Sequence, residues 1–151
     1  MDDLVFARAI HVVAIVAWIG GLALETMVIL PIAASPETPP GLFERTERLF
    51  APIARIAVLL AGASGFYMVH ALDAWGRYSD AGFWWMHAMT AIWVLFTLVL
   101  FVLEPWFLHA WFQRRMSEAP VATMTLIQRL HWVLLSVSTI TVFGAVVGSH
   151  G

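Results

Sequence analysis

The sequence contains no cysteine and no lysine, and it carries little charge of either sign. The eight basic residues are all Arg, the acidic residues number ten, and the formal net charge is −2. Without cysteine there are no disulfides, thiolate ligands or iron–sulfur clusters, so any metal chemistry must use His, Met or carboxylate side chains. Without a basic patch, nucleic acid is not an expected partner.

Long runs of apolar residues dominate the chain instead. Hydrophobic side chains make up 61% of the 151 residues and charged ones 12%, and the mean hydropathy of +0.83 is far too high for an ordinary soluble domain. Four runs are each long enough to cross about 30 Å of hydrocarbon, at about residues 4–31, 49–75, 83–112 and 124–149. Short breaks rich in Pro, Gly or charge separate them. The sequence therefore predicts one all-α domain over residues 1–151, an integral membrane four-helix up-down bundle.

The arginines are distributed unequally between the two ends of the predicted bundle. The first and third connections, with the first turns of the fourth helix, carry Arg45, Arg48, Arg114, Arg115 and Arg129. The connection between the second and third helices carries only Arg77. The positive-inside rule assigns the Arg-rich end to the cytoplasm, so we expect a bacterial inner-membrane protein whose two termini face the periplasm.

Three histidines lie at one depth in the outer half of the predicted bundle. His11, His70 and His87 are each about four to seven residues inside the outer end of their helices, and His150 closes the outer end of the fourth helix. Ionisable side chains at membrane depth cost a few kcal/mol, so they normally face the bundle interior and serve a function. His109 lies at the opposite boundary beside two Trp residues, where we expect an interfacial side chain.

His11 and His87 have the placement that a haem requires. In an up-down bundle the first and third helices are diagonal, so the two imidazoles can face each other across the core, where bundles hold their cofactors. Imidazole is a common axial ligand of haem iron. Arg8 lies one turn outward from His11 on the same face, where it can pair with a haem propionate. These residues favour one haem b ligated by His11 and His87.

Alternatives remain for the other residues of the outer half. His70 and His150 lie on the second diagonal, where with Met89 they either form a second haem or metal site or flank the propionates of the first haem. Soft thioethers beside imidazoles suit Cu(I), so Met68, Met86 and Met89 also allow a copper site. For Met68 and Met86 we favour the simpler interpretation that they fill gaps in the packing.

A second group of polar residues, the inner layer, lies toward the cytoplasmic end. Glu25, Arg55, Glu104 and His131 each lie about six to eight residues inside their own helix, so each helix contributes one. Arg55 can neutralise Glu25 or Glu104, and His131 can hydrogen-bond the remaining carboxylate. We expect one connected network, which is either a structural polar lock or a proton relay, and ion pairing alone accounts for the lock.

The stretch "RAIHVVAIVAWIGGL" resembles the first-helix signature of a superfamily of small membrane proteins. The superfamily includes the HemJ-type protoporphyrinogen oxidases and the membrane domain of CopD-type copper-resistance proteins. Both have a His in the first helix, a Trp seven residues later and then a Gly-rich step; the matching residues are His11, Trp18, Gly20 and Gly21. The third helix resembles the HemJ pattern of Trp-x-His followed by Lys, at Trp85, His87 and Met89.

The resemblance implies a b-type haem bound by His11 and His87, with Trp18 among the cofactor-binding residues. For HemJ-type enzymes it also implies the oxidation of protoporphyrinogen to protoporphyrin. Met89 occupies the position of the family's Lys. We therefore favour a haem protein of related fold with a different redox task.

Three functional hypotheses follow from these residues. The first is a haem-b redox protein that transfers electrons or acts as an oxidoreductase, with a quinone or a porphyrin as its redox partner. The second is a CopD-like protein that binds or transports copper through His and Met. The third is a structural membrane subunit whose polar layers only hold the bundle together. Each is surrounded by membrane lipid, and each is compatible with a homo-oligomer.

Overall fold

A computed structural model describes the backbone of residues 2–39 and 41–150, and the side chains of the same residues except Asp2, Ser149 and His150. Its four long helical spans are α1 (Asp3–Ala33), α2 (Leu42–Ala71), α3 (Ala81–Glu118) and α4 (Pro120–Gly148). Each span is long and apolar enough to cross a membrane. No strand occurs within the described ranges. The predicted all-α, multi-pass membrane architecture is confirmed.

The helix boundaries differ from the predicted ones where charged residues extend a helix. α2 begins at Leu42 rather than at residue 49, because Arg and Glu are good helix formers and Gly41 makes the turn before them with a φ of 86°. α3 continues through Glu118, so most of the charged connection predicted after it is helical. Only Ala119 separates α3 from α4, since the ring of Pro120 disfavours the helical conformation at the preceding residue.

The four helices pack in a ring. α1 contacts α2 and α4, and α3 contacts the same two helices. α1 and α3 are therefore one diagonal of the bundle and α2 and α4 the other, as expected for up-down topology. The core takes a side chain from each helix, namely Trp18, Val58, Phe96 and Leu135. The rings of Trp18 and Phe96 meet edge to face with their centroids 4.9 Å apart.

The two ends of the bundle differ in composition. The end that contains residues 34–39 and Ala119 is here called the Arg-rich end. It lies next to four of the eight arginines, Arg45, Arg48, Arg114 and Arg115. The opposite end, called the His-rich end, contains the connection at residues 72–80, much of which is the short 3-10 segment Ala74–Ser79. His70 and His87 lie on either side of that connection.

Aromatic rings packed on glycines join neighbouring helices. A Cβ atom added to Gly21 of α1 would overlap the ring of Phe50 of α2. One added to Gly62 of α2 would overlap the indole of Trp93 of α3. The same contact joins α3 to α4, through Trp84 on Gly144 and Trp85 on Gly148. Because glycine has no Cβ, each ring lies against the backbone of the next helix, which is how small residues bring membrane helices together.

Candidate functional site

Two segments toward the Arg-rich end have π-helical hydrogen bonding. They are Glu25–Ile29 in α1 and Val99–Leu108 in α3. In this pattern an N–H donates to the carbonyl five residues earlier, as the N–H of Leu30 does to Glu25. π-Helical turns occur frequently at functional sites. Each of these segments contains one carboxylate of the inner layer, Glu25 or Glu104.

Proline leaves one carbonyl of the first π segment without a backbone donor. In register with the Leu30 bond, the next donor would be the N–H of residue 31, but Pro31 has none. The carbonyl that it would serve belongs to Thr26, and this oxygen accepts a hydrogen bond from Gln128 Nε2 of α4 at 2.8 Å. Buried carbonyls need such partners. Gln128 therefore compensates for the proline and ties α1 to α4.

The second π segment has the same arrangement at Pro105. In the π register the missing N–H of Pro105 would serve the carbonyl of Leu100, and this oxygen accepts from Arg55 Nε of α2 at 3.1 Å. Arg55 Nη2 also donates to Glu104 Oε2 at 2.9 Å. One guanidinium thus satisfies a carbonyl and neutralises a carboxylate of the same helix, which its planar fork of donors allows.

His131 of α4 faces Glu25 of α1. His131 Nε2 lies 3.8 Å from Glu25 Oε2, and both side chains are largely buried. His131 Nδ1 lies 3.0 Å from the Ile127 carbonyl oxygen. A carbonyl can only accept, so Nδ1 carries a proton and donates, and Nε2 is the nitrogen that gains or loses one. The pair can therefore hold a single proton on either the imidazole or the carboxylate.

The four expected inner-layer residues form two pairs by direct contact rather than one chain of bonds. A third carboxylate, the half-buried Glu47, lies on α2 about two helical turns before Arg55. Sequence reasoning missed Glu47 because it assigned the charged stretch before residue 49 to a loop. Its signal was the spacing of two helical turns from Arg55.

Glu47 changes the charge of this half of the bundle. It adds a third carboxylate to the two that pair with a guanidinium and with an imidazole. A charge at membrane depth is costly without a partner, and Arg55 and His131 supply partners for Glu104 and Glu25. Within the described residues, no three His, Asp or Glu side chains are grouped so that they could hold a metal ion.

His11 is held in one orientation by α2. Its Nδ1 lies 2.9 Å from the carbonyl oxygen of Ala61 and 3.1 Å from Ser64 Oγ. The ring edge also lies over Gly65, where a Cβ would be 3.2 Å from His11 Cε1. The small residues of α2 therefore form the surface on which the half-buried imidazole rests.

The other predicted residues at the His-rich end are more exposed. His87 is exposed and packs edge to face on Tyr78, with ring centroids 5.4 Å apart. The Tyr78 hydroxyl lies 2.9 Å from Thr90 Oγ1 of α3, which fixes the tyrosine. Arg8 and His70 are also exposed. The side chain of His150, predicted with His70 as a second site, lies outside the described residues.

The sulfur-containing and aromatic candidates lie closer to the core. Met86 is buried, whereas Met68 and Met89 are half-buried. Trp18 is buried in the core, about two helical turns from His11 toward the Arg-rich end. His109 is exposed, at the end of the second π segment.

The functional assignment depends on these residues alone, because comparisons with known proteins found no relative. A scan against models of known protein families found no match, and searches of curated proteins and of solved structures found none.

Proposed function

We propose that the protein is a membrane haem-b redox protein in which His11 and His87 are the axial ligands. One observation carries this proposal, the orientation of His11. Because the Ala61 carbonyl can only accept, the proton of a neutral His11 imidazole lies on Nδ1 and the lone pair on Nε2. Metal-bound histidines have this arrangement, with one ring nitrogen on the metal and the other donating to a carbonyl.

The remaining residues of the His-rich end fit the same cofactor. A bound haem supplies one-electron redox chemistry. Arg8 is exposed one turn outward from His11 and is suited to pair with a propionate carboxylate. Tyr78 packs edge to face against the His87 ring. The resemblance of the first helix to the HemJ and CopD signature supports the same assignment, and Met89 favours a redox partner such as a quinone or a porphyrin over the HemJ reaction itself.

The inner layer has the chemistry of a proton relay. His131 Nε2 and Glu25 face each other and can exchange one proton, while Arg55 donates a hydrogen bond to Glu104. Redox reactions of quinones and porphyrins move protons with electrons, so such a relay would complement an outer haem. We place the Arg-rich end in the cytoplasm of a bacterial inner membrane, with both termini in the periplasm.

The visible spectrum tests the haem proposal. The purified protein should have a Soret band and, after reduction, the α band of a b-type haem. His11→Ala should abolish the spectrum and His87→Ala should abolish or shift it, because each removes one axial ligand. His109→Ala, which removes an exposed histidine far from the site, should leave it unchanged. A normal spectrum in His11→Ala would contradict the assignment.

Metal analysis of the same preparation separates the alternatives. Bound copper without a Soret band would support a CopD-like protein that uses the Met and His side chains near residues 68–89. If protein purified from cells with adequate haem and copper contains neither haem nor metal, the structural-subunit hypothesis is the one that remains.

A further inference from the structure

Two buried polar groups in the middle of the bundle have no hydrogen-bond partner. They are the indole Nε1 of Trp18 in α1 and the hydroxyl of Ser138 in α4. The exposed fractions of the two residues are only 4% and 2%. A buried polar group without a partner costs about 1–3 kcal/mol. Two such groups in one core therefore indicate a partner that is not a protein atom.

Ser138 differs from the other buried hydroxyls that the structure describes. Four of them donate to the carbonyl four residues earlier in their own helix, namely Thr26, Ser64, Thr123 and Thr141. This bond is a common way for a helix to satisfy a hydroxyl locally. Ser138 has no such bond. Its hydroxyl is therefore available to a group outside its own helix.

The two groups lie at one level of the contact between α1 and α4. These helices run antiparallel, and Glu25 of α1 meets His131 of α4 at 3.8 Å. Seven residues from each toward the His-rich end are Trp18 and Ser138. Seven residues are about two turns and about 10 Å on either helix. Counting along the two helices therefore puts Trp18 and Ser138 at one level, about two turns from the Glu25–His131 pair.

We propose that Trp18 and Ser138 bind a water molecule between them in the centre of the bundle. An indole N–H can only donate, whereas a hydroxyl both donates and accepts. A water oxygen can accept from Trp18 Nε1 while the water also bonds to Ser138 Oγ, so one molecule satisfies both groups. Buried waters typically bind otherwise unpaired polar groups in this way.

The position of this water is halfway between the two polar layers. Trp18 is seven residues from His11 and seven from Glu25 on the same helix. The roughly 20 Å between those levels is otherwise occupied around Trp18 by an apolar cluster that includes Ala57, Val58 and Phe96. The water site uses neither His11 nor His87, the two proposed axial ligands, so it does not depend on the haem proposal.

Nuclear magnetic resonance of the full chain with ¹⁵N-labelled Trp in lipid nanodiscs tests the site. The Trp18 indole signal is assigned as the one lost in Trp18→Phe. This indole proton should show a cross-relaxation peak to water. Because Trp18 is buried away from bulk solvent, such a peak reports a water molecule bound inside the bundle. Trp93 is the internal reference, because its Nε1 donates to the Val58 carbonyl at 2.9 Å and should show no such peak.

Ser138→Ala should remove the water peak and shift the Trp18 indole signal, because the water loses its second partner. Ser136→Ala is the matched control, since Ser136 is exposed on the same helix, and it should change neither. Ser138→Thr keeps the hydroxyl and should keep the peak, which covers the case in which Ser138→Ala folds poorly. A Trp18 signal without a water peak in the parent, or one unaffected by Ser138→Ala, would overturn the proposal.

Discussion

The hydrogen bond from Gln128 to the Thr26 carbonyl should matter only because residue 31 is proline. Gln128→Met keeps the length of the side chain and removes its amide donor. The Thr26 carbonyl then loses its donor, and water cannot replace it because Thr26 is fully buried, with an exposed fraction of 0%. An unsatisfied buried group costs about 1–3 kcal/mol, and interhelical side-chain hydrogen bonds measured in a membrane protein contribute about 0.6 kcal/mol on average and about 1.7 at most. We expect Gln128→Met to lower the free energy of unfolding by about 1–2 kcal/mol.

Pro31→Ala supplies the missing donor and makes the prediction specific. The introduced alanine has a backbone N–H that can serve the Thr26 carbonyl in the π register, so the amide of Gln128 is no longer needed. In this background Gln128→Met should cost little. The double-mutant cycle should therefore give a coupling energy of about 1 kcal/mol, which is measurable for two neighbouring sites.

Reversible unfolding in mixed micelles, followed by circular dichroism, measures the four free energies of the cycle. Gln113→Met is the matched control, because Gln113 is exposed on α3 and no hydrogen bond of its side chain is recorded. It should have little effect in either background. Equal costs of Gln128→Met in the parent and in the Pro31→Ala background would refute the reasoning that the glutamine compensates for the proline.

Further predictions concern packing, charge and orientation. Gly62→Ala should lower the free energy of unfolding by about 1–3 kcal/mol, because the added methyl displaces the indole packed there, whereas Gly20→Ala, in open space, should not lower it; equal losses would contradict the ring-on-glycine contact. Arg55→Lys should destabilise the fold by about 1 kcal/mol, because an ammonium lacks the planar fork that serves a carbonyl and a carboxylate together; unchanged unfolding would show that the fork is dispensable. Since the chain has no cysteine, Gly76→Cys should react with an impermeant maleimide on intact spheroplasts and Glu37→Cys only after permeabilisation; the reverse pattern would contradict the proposed orientation.

The sequence was sufficient for the four spans and for the common level of one polar pair. Hydropathy and length predict four spans, and counting along a helix puts Glu25 and His131 at one level, where the structure has them in contact. Which charge pairs with which depends on helix rotation and spacing, which a single sequence does not provide. Arg55 could reach either carboxylate, and packing of α2 on α3 selects Glu104.

Two features escaped prediction for local physical reasons. The start of α2 looks like a loop because its residues are charged, yet Arg and Glu favour helix. The predicted span therefore began at residue 49 and left Glu47 outside it. The π segments were equally hidden, because a proline in a helical run predicts a kink without saying which carbonyl loses its donor. For His11, the sequence predicted the depth but not the contact with Ala61, which requires the small face of α2.

The proline before the end of α1 has a consequence for biogenesis. Ribosomes deliver α1 first and α4 last, and the partner of the Thr26 carbonyl, Gln128, is 102 residues further along the chain. Lipid tails offer no hydrogen bond, so a nascent chain that ends before α4 carries an unsatisfied carbonyl in its first span. Completion of synthesis, rather than insertion of α1, is the moment at which this span becomes fully compatible with the bilayer. A chain truncated before α4 would keep that carbonyl without its partner, so the first span depends on the last for a complete set of hydrogen bonds.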